Sequence, residues 1–474
     1  MTTPHLSSAE LVDHLLNRIG EIDASGPQLR SVLAVSSEAM ATAITRDAEH
    51  RDGHERGPLH GVPVLVKDNI DTVDQDTTAG SLALVGHRPT ADAPIVARLR
   101  EAGAVVLGKA NLSEWANMRS PHSTSGWSAV GGLTRNPWDL ARSAGGSSSG
   151  SGAAVAAGLA PLAIGTETDG SIVCPASLNG IVGLKPTVGL LPAQGIVPIS
   201  HSQDTAGPMA RTVREVAVLL DVLAGTDGRY AEATSAESAG DAVAGLRVGV
   251  SRAMFGDHPT TDEVAERALQ VIARHGATLV DPANVPALPS YDSGADELTV
   301  LLHELKHDLA VYLATRPDGA PRTLDDLVAF NRTHADTELA WFGQEFFEQA
   351  LATGGLDDEA YVSARARGLR ATRDDGLDAV IGEHGLDALV APAYGPAWFN
   401  DLVNGDHTTG GRVTAAPAVA GYPVLSLPIG LVHGLPVGLA LVGAAGSESS
   451  LLRLARGIEL ALGLTRDGAF LPTL

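Results

Sequence analysis

The chain has 474 residues, of which 44% are hydrophobic and only 4% are aromatic. This length and apolar content are sufficient for a large buried core built mostly from small aliphatic side chains. The formal net charge of −23 disfavours nucleic acid or an anionic membrane as a partner, because both bind basic surfaces. The single cysteine, Cys174, excludes an internal disulfide and gives no reason to invoke an oxidising compartment.

The N-terminal residues show neither the basic region nor the apolar region of a secretory signal peptide. No apolar run in the sequence is long enough to span a bilayer. We therefore expect a cytoplasmic protein, a monomer or a homodimer, that binds a small-molecule or peptide substrate and neither nucleic acid nor membrane.

Hydrophobic periodicity in the first 110 residues predicts alternating helices and strands. Ser7 and Glu10 have the spacing of a capping box at the start of an amphipathic helix. The apolar run 62–66 predicts a buried strand that ends at Lys67, and a second helix and strand lead to Lys109. This alternation is typical of an α/β layer fold with parallel pairing.

The middle and C-terminal parts of the chain continue this pattern. Residues 142–177 contain two glycine-rich loops separated by a small-residue helix and a short apolar strand. The polar stretch 226–245 predicts an exposed connection, and a β-α-β unit follows it. Helices dominate from about residue 296 to 385, after which strands return and a helix closes the chain.

Lysine is rare in this chain, which has 33 basic residues but only four lysines: Lys67, Lys109, Lys185 and Lys306. A lysine, unlike an arginine, can lose its proton when it is desolvated. Lys67 at the end of a buried strand is therefore the best candidate for a general base. Lys109 and Lys185, also among apolar strand residues, are interpreted as structural.

Two serines in the glycine-rich loops, Ser147 in GGSSSG and Ser171 in TDGSI, lie 24 positions apart. A serine hydroxyl is a weak nucleophile until a base accepts its proton. One serine could relay the proton of the other to a neutral lysine such as Lys67. The spacing alone leaves simple turns or an anion-binding loop as open alternatives.

Five sequence blocks in the same order resemble the amidase signature family. They read GPLHGVPVLVKDNID, GKANLSEWA, GGSSSGSGAAVAAG, GTETDGSIVCPAS with GIVGLKPT, and GYPVLSLPIG with GLPVGLALVG. The resemblance covers most of the chain and implies an α/β amidase signature fold, a large mixed β-sheet core covered by helices on both faces. It also implies one amidase domain, with a signature core at about 60–215 and a helical insertion at about 285–385.

The resemblance further implies a Ser–cis-Ser–Lys triad. In it, Lys67 is the general base, Ser147 is the bridging serine after a cis peptide bond, and Ser171 is the nucleophile. Backbone N–H groups of Thr168, Asp169, Gly170 and Ser171 would form the oxyanion hole. No metal or organic cofactor is implied.

Two departures from the family pattern are Asp169, where glycine is usual, and Val173, where arginine is usual. With the blocks SEWAN and STSGW, they make the chain most similar to bacterial peptide amidases, which remove ammonia from the C-terminal amides of peptides. The resemblance implies substrate contacts by five residues: Asn117, Met118, Gly146, Asp169 and Cys174. For Cys174 itself, the apolar surroundings predict a buried or pocket-lining thiol rather than a nucleophile.

The predicted function is therefore an amidohydrolase of linear amide C–N bonds that forms an acyl-enzyme and releases ammonia, with a peptide C-terminal amide as substrate. Alternatives are an amidase of small aliphatic, aryl or cyclic amides, or the glutaminase subunit of a tRNA-dependent amidotransferase. A third alternative is a zinc-dependent or non-catalytic protein.

The zinc alternative rests on His303-Glu304-Leu305-Lys306-His307, which fits the H-E-x-x-H pattern. Leucines at positions 298, 302, 305 and 309 form the apolar stripe of this predicted helix. Both histidines then project to the opposite face. We expect them to be solvated and not to bind a metal.

Overall fold

An eleven-stranded mixed sheet forms the centre of the computed structural model, which describes residues 6–286, 293–464 and 470. The strands of this sheet and of a separate two-stranded hairpin are β1 Val32–Val35, β2 Pro63–Lys67, β3 Val105–Ala110, β4 Trp127–Ser128, β5 Gly132–Leu133, β6 Leu162–Glu167, β7 Val182–Lys185, β8 Thr205–Ala210, β9 Arg247–Val250, β10 Thr278–Val280, β11 Ala388–Pro392, β12 Val424–Val432 and β13 Leu435–Val442. The strand order in the large sheet is β1-β3-β2-β6-β8-β7-β12-β13-β11-β9-β10, and β4 and β5 form the hairpin.

Helices connect and cover these strands. Their bounds are α1 Ser8–Arg18, α2 Ala39–Arg51, α3 Pro94–Glu101, α4 Ser149–Ala156, α5 Val173–Asn179, α6 Val213–Ala224, α7 Arg229–Ala233, α8 Ala239–Val243, α9 Pro259–Arg274, α10 Ser293–Leu313, α11 Leu324–Thr333, α12 Ala335–Glu338, α13 Glu345–Ala352, α14 Glu359–Leu369, α15 Asp378–His384, α16 Ala415–Ala420 and α17 Glu448–Leu462. None of the described helices is both long enough and apolar enough to cross a membrane.

The two faces of the sheet carry separate apolar cores, because successive strand residues point to opposite sides. In β2, Val64 and Val66 belong to the apolar cluster that includes α3, α6, α9 and α17, whereas Leu65 belongs to the cluster of α1, α2 and α4 on the other face. The expected large mixed sheet covered by helices is thus confirmed.

The strand pairing is only partly parallel. β2 pairs in parallel with β3 and β6, and β9 pairs in parallel with β10 and β11. The middle of the sheet, from β6 through β8, β7 and β12 to β13, is antiparallel. The parallel pairing predicted for the first strands is correct there and does not extend across the sheet.

The stretch 226–245, whose polar composition predicts an exposed connection, is only partly exposed. It contains the short helices α7 and α8, which pack against α17. Tyr230, Ala242 and Val243 are at most 1% exposed. A few apolar residues at helical spacing pack this stretch against the core, while many of its polar residues stay exposed.

Helices α10 to α15 occupy the region of the predicted insertion, whose residues 287–292 lie outside the described part of the chain. The leucine stripe of α10 packs in an apolar cluster with α11 and α13. Past the end of β2, the Asp71 carboxylate accepts hydrogen bonds from the Tyr312 hydroxyl at 2.8 Å and from Arg316 at 2.7 Å. These contacts fix the C-terminal end of α10 next to β2. The bounds of a signature core at 60–215 and an insertion at 285–385 stay predictions.

The small residues of α4 let this helix lie directly on neighbouring backbone. A Cβ at Gly150 would come within 2.3 Å of the Ser31 carbonyl oxygen and 2.5 Å of the Asn111 backbone. Neither neighbour is a flexible side chain, so the backbone itself would have to move. Gly150 therefore sets how closely the helix after the first glycine-rich loop approaches the sheet.

Gly150→Ala should destabilise the fold by about 1–3 kcal/mol or more, the usual cost of overpacking. The matched control is Gly382→Ala in α15, where a Cβ meets nothing within 4 Å. This control should be neutral or gain about 0.5–1 kcal/mol, because alanine favours the helix. Chemical denaturation of both variants measures the difference. Equal stability of the two would contradict the close approach of α4.

Candidate active site

Lys67 lies at the C-terminal end of β2 and its side chain is fully buried. Its Nζ is 2.8 Å from Ser147 Oγ, 2.8 Å from Thr166 Oγ1 and 3.2 Å from the Thr166 carbonyl oxygen. Burial lowers the pKa of the amine to about 7, although the negative charges of Asp204 and Glu167 act to raise it. A large part of the Lys67 population is therefore neutral near physiological pH.

The partners of Lys67 distinguish it from Lys109, which is equally buried. Lys109 Nζ lies 3.4 Å from the Asp68 carboxylate and donates to the Ile70 carbonyl and the Thr77 hydroxyl. That ion pair agrees with a structural role for Lys109. Lys67, in contrast, has only neutral groups at hydrogen-bond distance among the described residues, and two of them are hydroxyls that can exchange a proton with it.

Ser147 follows a cis peptide bond between Gly146 and Ser147, as the family resemblance implies. A Cβ at Gly146 would come within 2.3 Å of Ser113 Oγ and 2.7 Å of Ser125 Oγ. Only glycine therefore fits before Ser147 without displacing these hydroxyls. The glycine of the sequence motif is explained by close packing around the serine, which is itself fully buried.

Ser171 lies in the tight turn between β6 and α5, after Gly170 with its positive φ of 77°. Glu167 fixes this turn, because one carboxylate oxygen accepts from the backbone N–H groups of Ile172 at 2.6 Å and Val173 at 2.9 Å. Within the described residues, the backbone N–H groups of positions 168–171 have no such acceptor. They are available to a ligand.

Ser148 connects the two serine loops. Its backbone N–H donates to the Ser171 carbonyl at 3.1 Å. Its hydroxyl donates to the Thr166 carbonyl at 3.0 Å and accepts from the Thr166 N–H at 3.1 Å. The structure therefore joins Lys67 and Ser147 by a direct hydrogen bond and fixes the turn of Ser171 beside them.

Asp169 lies in the turn before Ser171, and its Oδ1 is buried without a hydrogen-bond partner among the described residues. Burial raises the pKa of this carboxyl to about 6, while a hydrogen bond with Thr414 lowers it. Burial, with the nearby Asp169 charge, also raises the pKa of Glu297 to about 8. A buried carboxylate oxygen with no partner is suited to accept an N–H from a ligand.

Asn117, another expected substrate contact, lies in a strained loop near Gly146. Asn117 donates to Ser125 Oγ at 3.2 Å, and Ser125 in turn borders Gly146. Its backbone has a positive φ of 71°, as do Trp115 and Ala116 before it at 49° and 52°. Three successive non-glycine residues in this region store backbone strain of the kind that functional sites carry.

Met118 and Cys174 are buried. Met118 is 7% exposed and lies in the apolar cluster that α10 shares with Trp115 and Phe347. Cys174 is 4% exposed and packs with Leu178 and Trp398. Burial raises the pKa of its thiol well above the usual range, which opposes formation of a thiolate.

Four residues that sequence reasoning did not identify contribute to the site. Thr166 and Asn69 hold Lys67, because Asn69 Nδ2 donates at 2.9 Å to the same Thr166 hydroxyl that Lys67 contacts. Glu167 fixes the turn of Ser171, and Asp204 accepts from the Thr168 hydroxyl at 2.6 Å. Three of them, Asn69, Thr166 and Glu167, lie within the family motifs quoted above. Their place in these motifs is the sequence feature that could have identified them. Asp204 lies outside these motifs.

A cavity of about 540 Å³ borders the site. Asn69, Thr166 and Thr168 contribute to its wall on the side of the site, and α10 contributes His307, Asp308, Val311 and Tyr312. The segment 193–199 and Leu356 supply an apolar wall. None of the described residues that line the cavity is a lysine or an arginine.

The two histidines of the H-E-x-x-H pattern contact different groups. His303 Nδ1 lies 2.7 Å from the Thr299 carbonyl, whereas His307 Nδ1 lies 2.9 Å from Asp308. The expectation that both are solvated is wrong for His303, which is 6% exposed because Tyr361 packs against its ring.

A different group, His201, Glu304 and Asp308, brings possible ligand atoms within 4.8 Å of one another. Glu304 already accepts hydrogen bonds from the Ser202 hydroxyl at 2.9 Å and the Tyr361 hydroxyl at 2.7 Å. His201 Nδ1 is 2.9 Å from Asp308. These contacts account for the group as a hydrogen-bonded network.

Comparison with solved structures places this geometry among known amidases. The native peptide amidase of Stenotrophomonas maltophilia superimposes with a TM-score of 0.91 at 46% identity, covering 98% of this chain and 96% of that one. A peptide amidase in complex with the competitive inhibitor chymostatin gives a TM-score of 0.91 at 48% identity, covering 96% and 94%.

Sequence relatives include a protein named probable amidase from Arabidopsis thaliana, 35% identical over 98% of this chain and 89% of its own length. A relative from Halorhodospira halophila, which is one subunit of glutamyl-tRNA(Gln) amidotransferase, is 39% identical over 95% of this chain and 93% of its own length. The family model described as Amidase matches residues 10–452. The chain therefore belongs to the amidase signature family of amide-cleaving hydrolases.

Proposed function

We propose that the protein is a serine amidase that removes ammonia from the C-terminal carboxamide of peptides. The observation that carries the proposal is the hydrogen bond between a buried, partly neutral Lys67 and Ser147, beside the turn that presents Ser171. The family alone supports amide hydrolysis, and the similarity to peptide amidases supports the narrower substrate.

The hydrogen bonds around Lys67 suit a neutral base. A neutral amine has two N–H donors and one lone pair. Thr166 offers two acceptors, its carbonyl and its hydroxyl oxygen, so both N–H groups have partners there. The lone pair is then left for the Ser147 hydroxyl, 2.8 Å away. Lys67 can accept the Ser147 proton without breaking either bond to Thr166.

The proposed reaction follows from this arrangement. As Lys67 takes the proton of Ser147, Ser147 takes that of Ser171, and Ser171 Oγ attacks the amide carbon. The backbone N–H groups of positions 168–171 stabilise the oxyanion, and one such donor is typically worth about 3 kcal/mol of barrier. The relay then returns a proton to the departing nitrogen, which leaves as ammonia. Water attacks the acyl-enzyme by the same relay, and the acid product is released.

Asp169 and the cavity support a carboxamide attached to a neutral peptide. The free Oδ1 of Asp169 would accept an N–H of the carboxamide or of the peptide. The apolar wall of the cavity beside Thr168 would pack against a side chain of the peptide. The acidic residues that line this cavity are Asp204 and Asp308. Free glutamine carries a carboxylate that would need a cationic partner. The cavity lining therefore favours peptide amides over a glutaminase role.

Lys67 as the base predicts a pH profile with a defined sign. The protonated amine is inactive, so kcat/KM should fall as the pH drops through the lysine pKa of about 7. Lys67→Arg keeps the charge but cannot act as a base at neutral pH. Steady-state kinetics should show a loss of about 100- to 10,000-fold for this variant, the usual contribution of general base catalysis.

The matched control is Lys306→Arg in α10, where Nζ donates to the carbonyls of Leu351 and Thr353. An arginine can keep such bonds, so this variant should retain both the turnover and the pH profile of the wild type. Near-normal turnover of Lys67→Arg would exclude Lys67 as the base.

Ammonia release by the purified chain tests the substrate. Blocked dipeptide amides should exceed amino-acid amides, aryl amides and glutamine by about 10-fold or more in kcat/KM, because the smaller substrates leave apolar wall unfilled. Ser171→Ala should abolish turnover and labelling by a fluorophosphonate, whereas a metal chelator should change nothing. A preference for glutamine would favour the glutaminase alternative, and a preference for small amides would refute the peptide assignment.

A further inference from the structure

Asp204 joins several parts of the site although it lies outside the family motifs. One carboxylate oxygen accepts from the Thr168 hydroxyl at 2.6 Å. The other accepts from the backbone N–H groups of Ile199 at 2.7 Å and Ser200 at 2.9 Å. The residue also lines the 540 Å³ cavity. A single side chain thus holds the loop after β6 against the segment that forms the apolar wall.

Thr168 is the first residue of the turn whose N–H groups we assign to the oxyanion. The turn is fixed at its other end by Glu167, which holds Ile172 and Val173. At the Thr168 end, the side-chain bond to Asp204 is the contact that ties it to another segment. Loss of that bond would leave the first N–H donor free to move relative to the rest.

The Asp204 carboxylate also acts on Lys67. Burial lowers the pKa of Lys67 to about 7, and the negative charges of Asp204 and of Glu167 at the end of β6 act in the opposite direction. Asp204 lines the same cavity as Thr166, the residue that Lys67 contacts. Asp68, which follows Lys67 directly after the end of β2, is paired with Lys109. On the far side of Asp204, α10 contributes Asp308, which contacts both His201 and His307.

We infer that Asp204 is a positioning residue that couples the proposed oxyanion loop to the lysine base. It holds Thr168 through its side chain and stabilises the Lys67 ammonium through its charge. This inference rests on the proposed function, because it needs Lys67 as the base and the loop 168–171 as the oxyanion site. Beyond that function, both the protonation of Lys67 and the position of the loop 168–171 depend on the Asp204 carboxylate.

Two variants separate these effects. Asp204→Asn removes the charge but can keep the contacts, because its amide oxygen can accept from the Ile199 and Ser200 N–H groups while its NH2 group donates to the Thr168 hydroxyl. Without the negative charge the ammonium is less stable, so the acid limb of the kcat/KM profile should move to lower pH, on the order of half a unit or more. Thr168→Val removes the hydroxyl and keeps the charge. It should lower kcat about tenfold, the size of one lost hydrogen bond, and leave the acid limb in place.

The matched control is Asp221→Asn. Asp221 in α6 has the same kind of partners as Asp204: the Thr226 hydroxyl at 2.6 Å and the backbone N–H groups of Tyr230 at 3.0 Å and Ala231 at 2.8 Å. This variant should lower the thermal stability and leave the acid limb unchanged. The control therefore measures how much stability is lost with such a carboxylate when no electrostatic effect on Lys67 is involved.

The results are evaluated against the wild-type and Lys67→Arg profiles. An unmoved acid limb in Asp204→Asn overturns the electrostatic part, and an unchanged kcat in Thr168→Val overturns the positioning part. A shift of the limb to higher pH overturns the sign of the coupling. Failure of the proposed function itself would appear differently, as near-normal turnover of Lys67→Arg or Ser171→Ala.

Discussion

The burial of one amine determines how this site is built. Lys67 ends a central strand and is removed from water by the sheet and by α4, so its charged form is costly. The protein does not offset this cost with an ion pair at contact distance, as it does for Lys109 with Asp68. It surrounds the amine with Thr166 and Ser147 instead. The result is an amine with a pKa of about 7, as the proposed base requires.

The elements around Lys67 are arranged to keep its neighbours in place. β6 runs parallel to β2 and supplies Thr166 and Glu167 at its end. The first contacts the amine, and the second fixes the turn that carries Ser171. Because both come from one strand, the base and the nucleophile turn share a rigid support. Rigid elements hold reacting groups more precisely than loops do.

The cavity and its acidic groups connect this chemistry to the choice of substrate. Asp204 and Asp308 line it together with an apolar wall, so it favours neutral or cationic ligands over anionic ones. Asp204 also contacts the turn of the proposed oxyanion site. In the mechanism that we propose, a carboxylate that lines the substrate cavity also affects the base. That mechanism links substrate charge and pH dependence through the same residue.

The sequence by itself determined the α/β class, the strand that ends at Lys67 and the two glycine-rich loops, because periodicity and glycine are local signals. The family motifs extended this to the mixed sheet and to the named triad. Only the tertiary structure decided that the short helices within residues 226–245 pack against α17, that His303 packs against Tyr361, and that Asp204 reaches Thr168. Each of these depends on a contact between segments distant in sequence or on burial by a neighbouring helix. Composition and motif spacing do not predict such contacts.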